Sequence, residues 1–186
     1  MCVAIVLPEK TVLPRDVFFS CDKGNPDGAG FAFINEEGKV DFCKSVVVDD
    51  EFYKLYEKIA KESTGPMLLH FRIGTQGTIS DENCHPFRIK DGALIHNGIL
   101  WTEYSAKESD TNQFCSELRD VLTYEFASSE ADFLGKTVGA YNKVAMLYDG
   151  GNLVVLNPDG WYTSDYPGCD SILFSNLHSI PKRNAA

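Results

Sequence analysis

The chain has 186 residues, 44% of them hydrophobic and 24% charged, with 17 Lys and Arg against 27 Asp and Glu and a formal net charge of −10. That length suits one well-cored domain over residues 1–186 and is short for two. The acidic balance argues against nucleic acid or an anionic membrane as the main partner, and no apolar run approaches the ~20 residues of a membrane span.

In chain order, Cys2 to Leu7 reads as a strand. A cysteine in second place is unusual: if Met1 is removed, which a small neighbour permits, Cys2 carries both a thiol and a free α-amine. An α-amine has a pKa of about 8, so one residue supplies a nucleophile and a base. The alternative is a small hydrophobe on a buried edge strand. Pro14 opens a short helix with Val17, Phe18 and Cys21 on its apolar side. The turn-rich stretch Asn25-Pro26-Asp27-Gly28-Ala29-Gly30 lacks the Gly-Lys-Ser/Thr ending of a phosphate loop. It leads into a strand at Phe31 to Ile34, and Glu36 to Lys39 reads as a hairpin turn into Val40 to Val48. From Asp49 to Ser63 the apolar stripe Phe52, Leu55, Tyr56, Ile59 and Ala60 predicts an amphipathic helix.

Met67 to Phe71 is a short buried strand running into His70-Phe71-Arg72-Ile73-Gly74-Thr75-Gln76-Gly77. A polar loop follows to Asn83-Cys84-His85-Pro86. Ala93 to Ile95 is another strand, ending in His96-Asn97-Gly98, where Asn-Gly also reads as a hairpin turn. Asp110 with Gln113 fits a capping box for a helix over Phe114 to Phe126, which alone would account for Asp110. A shorter helix is predicted within Ser128 to Val138, then strands at Lys143 to Tyr148, Leu153 to Asn157 and Ile172 to Ser175. Strands, helices, then strands predict an α+β layered domain.

The six cysteines form no C-x-x-C pair and the opening holds no signal peptide, so the expectation is a cytoplasmic protein with reduced thiols. The four histidines make no i,i+4 pair, and neither a metal nor a cofactor is expected.

Singly, these polar segments have ordinary explanations. In this order they resemble the class II glutamine amidotransferases of the N-terminal-nucleophile hydrolase superfamily, here in a small stand-alone form. The pattern stands as Cys2, His70 to Gly77, Asn83 to Pro86, His96 to Gly98, and Ser109 to Thr111, with Asn25 to Gly30 similar to the Asp-Gly-x-Gly turn of smaller members. The chain departs at Ile73 and Gln76, where many members carry Trp and His. The resemblance implies a four-layer αββα sandwich of two antiparallel sheets flanked by helices. It implies hydrolysis of the glutamine side-chain amide to glutamate and ammonia through a Cys2 thioester, with Asn97 and the Gly98 N–H as oxyanion donors. Arg72 and Thr75 would read the α-carboxylate and Asp110 the α-ammonium, with His85 beside the substrate. Glutamine is then the small-molecule partner, and a synthase partner would receive the ammonia. The alternatives are an amidohydrolase of a γ-glutamyl or other small amide, and a non-catalytic binding protein on the same scaffold. His70 and His96, next to strand ends, read as structural histidines.

Overall fold

Strand β1 (Val3–Leu7) is buried along its whole length. Side chains alternate faces along a strand, so Val3, Ile5 and Leu7 enter one apolar layer while Ala4 and Val6 enter another. A strand apolar on both faces must be covered on both, which requires layers above and below its sheet. The computed structural model, which describes residues 2–100, 102–103 and 105–182, supplies them.

Two antiparallel sheets lie face to face. The five-stranded sheet runs β3 (Val40–Ser45), β2 (Ala29–Ile34), β4 (Met67–Phe71), β1 and β9 (Leu173–Phe174). The four-stranded sheet runs β5 (Phe87–Ile89), β6 (Gly92–Asn97), β7 (Lys143–Tyr148) and β8 (Asn152–Val155). Helices α1 (Arg15–Gly24) and α2 (Asp50–Glu62) cover the outer face of the larger sheet through Val17, Phe18, Phe52 and Tyr56. Helices α3 (Asp110–Leu118), α4 (Tyr124–Ser129) and α5 (Ala131–Val138) cover the smaller one through Cys115, Ala127 and Leu134. Between the sheets lies a layer rich in alanine: Ala4, Ala32, Ala93 and Ala145 are all fully buried there. Small side chains at these positions let the two sheets close on each other; enlarging one costs about 1–3 kcal/mol. This is the expected αββα sandwich. Among the described residues no helix is long and apolar enough to cross a membrane.

Three sequence expectations are corrected. In α2, capped by the Asp49 side chain, Leu55 is 43% exposed and Tyr53 is buried instead. Tyr53 packs edge-on to Phe18 at 5.0 Å, and an aromatic ring buries more surface there than the leucine would. The helix expected over Phe114 to Phe126 is two helices, because Thr123 caps α4 by accepting the Phe126 N–H and the chain turns before it. The cap of α3 is Ser109, which accepts the Asn112 N–H, so Asp110 is its first helical residue.

Register decides where the polar motifs go. β1 and β4 pair with Val3 opposite Phe71 and Ala4 opposite His70, so the next step sets Cys2 across from Arg72. Cys2 lies two residues before Ala4, and His70 and Arg72 alternate with Leu69 and Phe71, so all three belong to the inter-sheet face. Asn97 shares that face with Ala93 and Ile95 of β6. Residues 70 apart in sequence thus meet at one end of the gap between the sheets.

Candidate active site

The Cys2 thiol lies against the Ile73 peptide: it accepts the Ile73 N–H at 3.3 Å and faces the Ile73 carbonyl at 3.4 Å. Burial pushes the thiol above its ordinary pKa, while the Ile73 N–H and the Arg72 guanidinium pull the other way and are outweighed. The backbone of Cys2 is held as well, since Asn176 Nδ2 donates to its carbonyl at 2.8 Å.

Arg72 follows β4 and is nearly fully buried. Its Nη2 donates to the Gln76 carbonyl at 2.9 Å, and its Nη1 has no hydrogen-bond partner. A buried cation without a counter-ion is costly, so this guanidinium is suited to an incoming anion. The loop around it is fixed by Asp27, whose Oδ2 accepts the Gly74 N–H at 2.7 Å. The turn from Asn25 to Gly30 thus has a chemical use: it delivers a carboxylate to the Arg72 loop. At Gly28, φ is +117° and a Cβ would overlap the Cys84 sulfur, so only glycine fits.

His70 and His85 stack with ring centroids 3.9 Å apart. His70 Nε2 meets the His96 carbonyl at 3.0 Å. Among the described residues, His70 Nδ1 and both ring nitrogens of His85 have no partner. Burial depresses both: His70 to about 3 and His85 well below its ordinary value. Both rings are therefore neutral at pH 7.

His96, on the opposite face of β6 from Asn97, is satisfied at both nitrogens. Its Nε2–H donates to Asn142 Oδ1 at 2.8 Å, and its Nδ1 is 2.8 Å from the Thr111 hydroxyl. Asn142 Oδ1 also accepts the Ile99 N–H at 2.8 Å. It fills the space behind Gly98, where φ is +151° and any Cβ would overlap it. Asn97-Gly98 is thus the end of a strand entering a loop, and not a hairpin turn. The Asn97 side chain donates through Nδ2 to Ser175 Oγ at 3.0 Å.

Asp110 is engaged on both oxygens: Oδ2 accepts the Leu100 N–H and Oδ1 the Thr111 N–H, each at 2.7 Å. An ionised carboxylate has about four acceptor sites, so capacity remains. Across the mouth, Asn83 Nδ2 donates to the Lys107 and Thr78 carbonyls while its Oδ1 accepts the Ser109 N–H. This zips the two loops over the site. The cleft they close is lined by Cys2, Arg72, Thr75, His85, Gly98 and Asp110 and encloses about 30 Å³, room for one or two waters. A larger surface cleft lined by Lys39, Arg88, Lys90 and Arg119 holds mixed charges and no nucleophile.

No protein-family model matches the chain. It is 31% identical over 74 residues to the glutamine–fructose-6-phosphate aminotransferase (isomerizing) of Francisella tularensis subsp. tularensis; the match covers 40% of this chain and 12% of that protein. Among solved structures, the glutamine phosphoribosylpyrophosphate amidotransferase of B. subtilis aligns with 97% of this chain and 43% of its own, at a TM-score of 0.59 and 18% identity. The chain therefore spans less than half the length of these relatives. A glutamine aminotransferase class-II domain protein from Silicibacter pomeroyi aligns with 94% of this chain and 88% of its own at a TM-score of 0.40 and 13% identity. The chain has the fold of a class II glutamine amidotransferase domain.

In this amidotransferase-type fold, six of the seven residues expected from sequence line one cleft, and the seventh, Asn97, precedes one of them. Sequence reading missed the residues that hold them: Ile73 at the thiol, Asn142 behind Gly98, and Ser175 and Asn176 just after β9. Met1, whose removal would free the Cys2 amine, lies outside the described residues. No group of three or more His, Cys, Asp and Glu among the described residues is arranged to hold a metal ion.

Proposed function

We propose that this chain is a glutamine amidotransferase domain over residues 1–186 that hydrolyses the glutamine side-chain amide to glutamate and ammonia. The observation that carries this is the meeting of Cys2, Arg72 and Asp110 in one cleft: a nucleophile between a free cation and an anion. Free glutamine offers an amide, a carboxylate and an ammonium, the complementary set.

With Met1 removed, the Cys2 α-amine takes the thiol proton, directly or through water, and the thiolate attacks the amide carbon. The oxygen acquires negative charge as the tetrahedral centre forms. Asn97 Nδ2 has a second N–H beyond the one given to Ser175, and the Gly98 N–H lies beside it. Donors aimed at developing charge are worth a few kcal/mol each. Collapse expels ammonia, with the proton returned by the α-amine, and leaves a thioester that water hydrolyses. Arg72 Nη1 and the Thr75 hydroxyl bind the α-carboxylate, Asp110 the α-ammonium, and neutral His85 packs beside the substrate. In a cleft of this size, binding must part the Arg72–Gln76 bond or the Asn83 ties.

The ammonia acceptor is a synthase partner. Six free cysteines fit a reducing compartment, and we assign the cytoplasm. The test is ammonia release from L-glutamine by the processed chain, against the Cys2→Ala variant. Equal release from both would remove the reading.

A further inference from the structure

We propose that Ser175 is a positioning residue for the oxyanion site: its hydroxyl locks the Asn97 amide to the strand that carries Cys2. This rests on the reading of Asn97 as an oxyanion donor. Ser175 follows β9 at the edge of the five-stranded sheet, and Asn97 ends β6 in the four-stranded sheet, so their bond crosses the gap between the sheets.

The serine is itself fixed. It is 5% exposed. Its N–H donates to the Ala4 carbonyl at 2.8 Å, and its Oγ accepts the Ala4 N–H at 2.9 Å. In a plain ladder that N–H would go to a main-chain carbonyl; here it goes to the side chain. With the Asn97 amide as second donor, both acceptor sites of the hydroxyl are filled, and the amide is tethered through its nitrogen. The following residue, Asn176, holds the Cys2 carbonyl. Two adjacent side chains therefore set where the nucleophile and the oxyanion donor stand relative to each other, although these belong to different sheets.

The chemistry needs this. The terminal torsion of an asparagine is broad and roughly two-fold, so an untethered amide spends much of its time pointing elsewhere. A misplacement of about 1 Å can cost a hundredfold in rate. Ser175 is not among the residues lining the cleft, so its loss should act on turnover and not on binding.

The test is a double-mutant cycle on the processed chain, with kcat and KM for glutamine measured separately. S175A should lower kcat about ten- to a hundredfold and leave KM within about twofold. In an N97A background the same substitution should change kcat by less than about twofold, because the residue through which it acts is gone. Equal losses in both backgrounds would overturn the proposal. A second readout is independent of turnover: the Asn97 side-chain amide protons in the ¹⁵N spectrum. Slow exchange in the wild-type chain, lost in S175A, supports the tether, while exchange at the bulk rate in the wild-type chain overturns it. Should S175A fail to fold, that wild-type measurement still decides. If the wild-type chain released no ammonia, the glutaminase reading would fail, and the spectra would decide the tether separately.

Discussion

The Cys2 sulfur accepts the Ile73 N–H at 3.3 Å, just past the end of the neighbouring strand β4. That contact ties the residue before β1 to the loop that carries Arg72 and Thr75, so the proposed nucleophile and the proposed carboxylate reader are held together. It also singles out Cys2 among six thiols. Cys21, Cys84, Cys115 and Cys169 are buried, and burial lifts Cys21 to about 12 and Cys84 and Cys169 to about 11. Cys43 is half-buried like Cys2 but does not line the cleft. The expected outcome is that diazo-oxo-norleucine labels Cys2 alone and stoichiometrically, while iodoacetamide reaches Cys43 too. Peptide mapping checks this; labelling of Cys84 or Cys115 with Cys2 untouched would refute it.

Arg72→Lys should raise KM for glutamine at least about tenfold. Lysine is a point charge and cannot present two parallel N–H groups to a carboxylate. In the free protein Nη2 is occupied by Gln76 and Nη1 has no partner among the described residues, so a guanidinium can keep the loop with one nitrogen and bind substrate with the other, whereas an ammonium has a single nitrogen to place. Steady-state kinetics on a variant with unchanged circular dichroism is the check. An unchanged KM would give Arg72 a structural role.

The stacked pair His70–His85 makes stability depend on pH. Both are held neutral by burial, with folded-state pKa values depressed from 6.5, His70 to about 3. Below about pH 6.5 the unfolded chain binds protons that the folded chain refuses, so stability falls as pH falls. Each such histidine contributes a slope of about 1.4 kcal/mol per pH unit between its two pKa values. His85→Phe removes one titrating group and breaks no hydrogen bond among the described residues, since neither ring nitrogen has a partner there. Urea titrations from pH 7 to pH 5 should give a shallower loss for this variant, by up to about 2 kcal/mol at the lower end. Identical slopes would mean His85 is already protonated in the folded state.

The residues that line the candidate site were legible because they cluster at strand ends in short local patterns, such as Arg72 to Gly77 and His96 to Gly98. The supports were not. Ser175 reaches Asn97 from 78 positions away, and Asn142 reaches Ile99 from 43; a lone Ser or Asn gives no periodicity or spacing to read. The order of strands and helices made a layered α+β domain legible, and the two-sheet sandwich followed only from the resemblance of the polar motifs. The helix break before α4 was missed because Phe114, Leu118 and Leu122 keep a helical period across it, although Thr123 was there as a cap. The Asp110 cap was misplaced by one residue because Ser109 and Asp110 are both good caps, and Asp110 is drawn instead to the Leu100 N–H.

The last prediction concerns the base. His70, the histidine facing the gap beside Cys2's strand partner, is depressed to about 3 and hydrogen-bonded to a backbone carbonyl through Nε2. His96 lies on the other face of β6, with both nitrogens engaged. The proposed proton acceptor is therefore the α-amine of Cys2 itself, which exists only once Met1 is gone. Inserting a glutamine between Met1 and Cys2 blocks methionine removal by its size and converts that amine to an amide, while leaving the thiol in place. Chain termini accept such additions readily, so circular dichroism should be unchanged. General base catalysis contributes about a hundred- to ten-thousandfold, so kcat should fall at least a hundredfold, with intact-mass measurement confirming each N-terminus. Slow alkylation of the thiol should survive. If the extended chain hydrolyses glutamine as fast as the processed one, the amine is not the base, and His85, unpartnered at both nitrogens and lining the cleft, becomes the residue to replace.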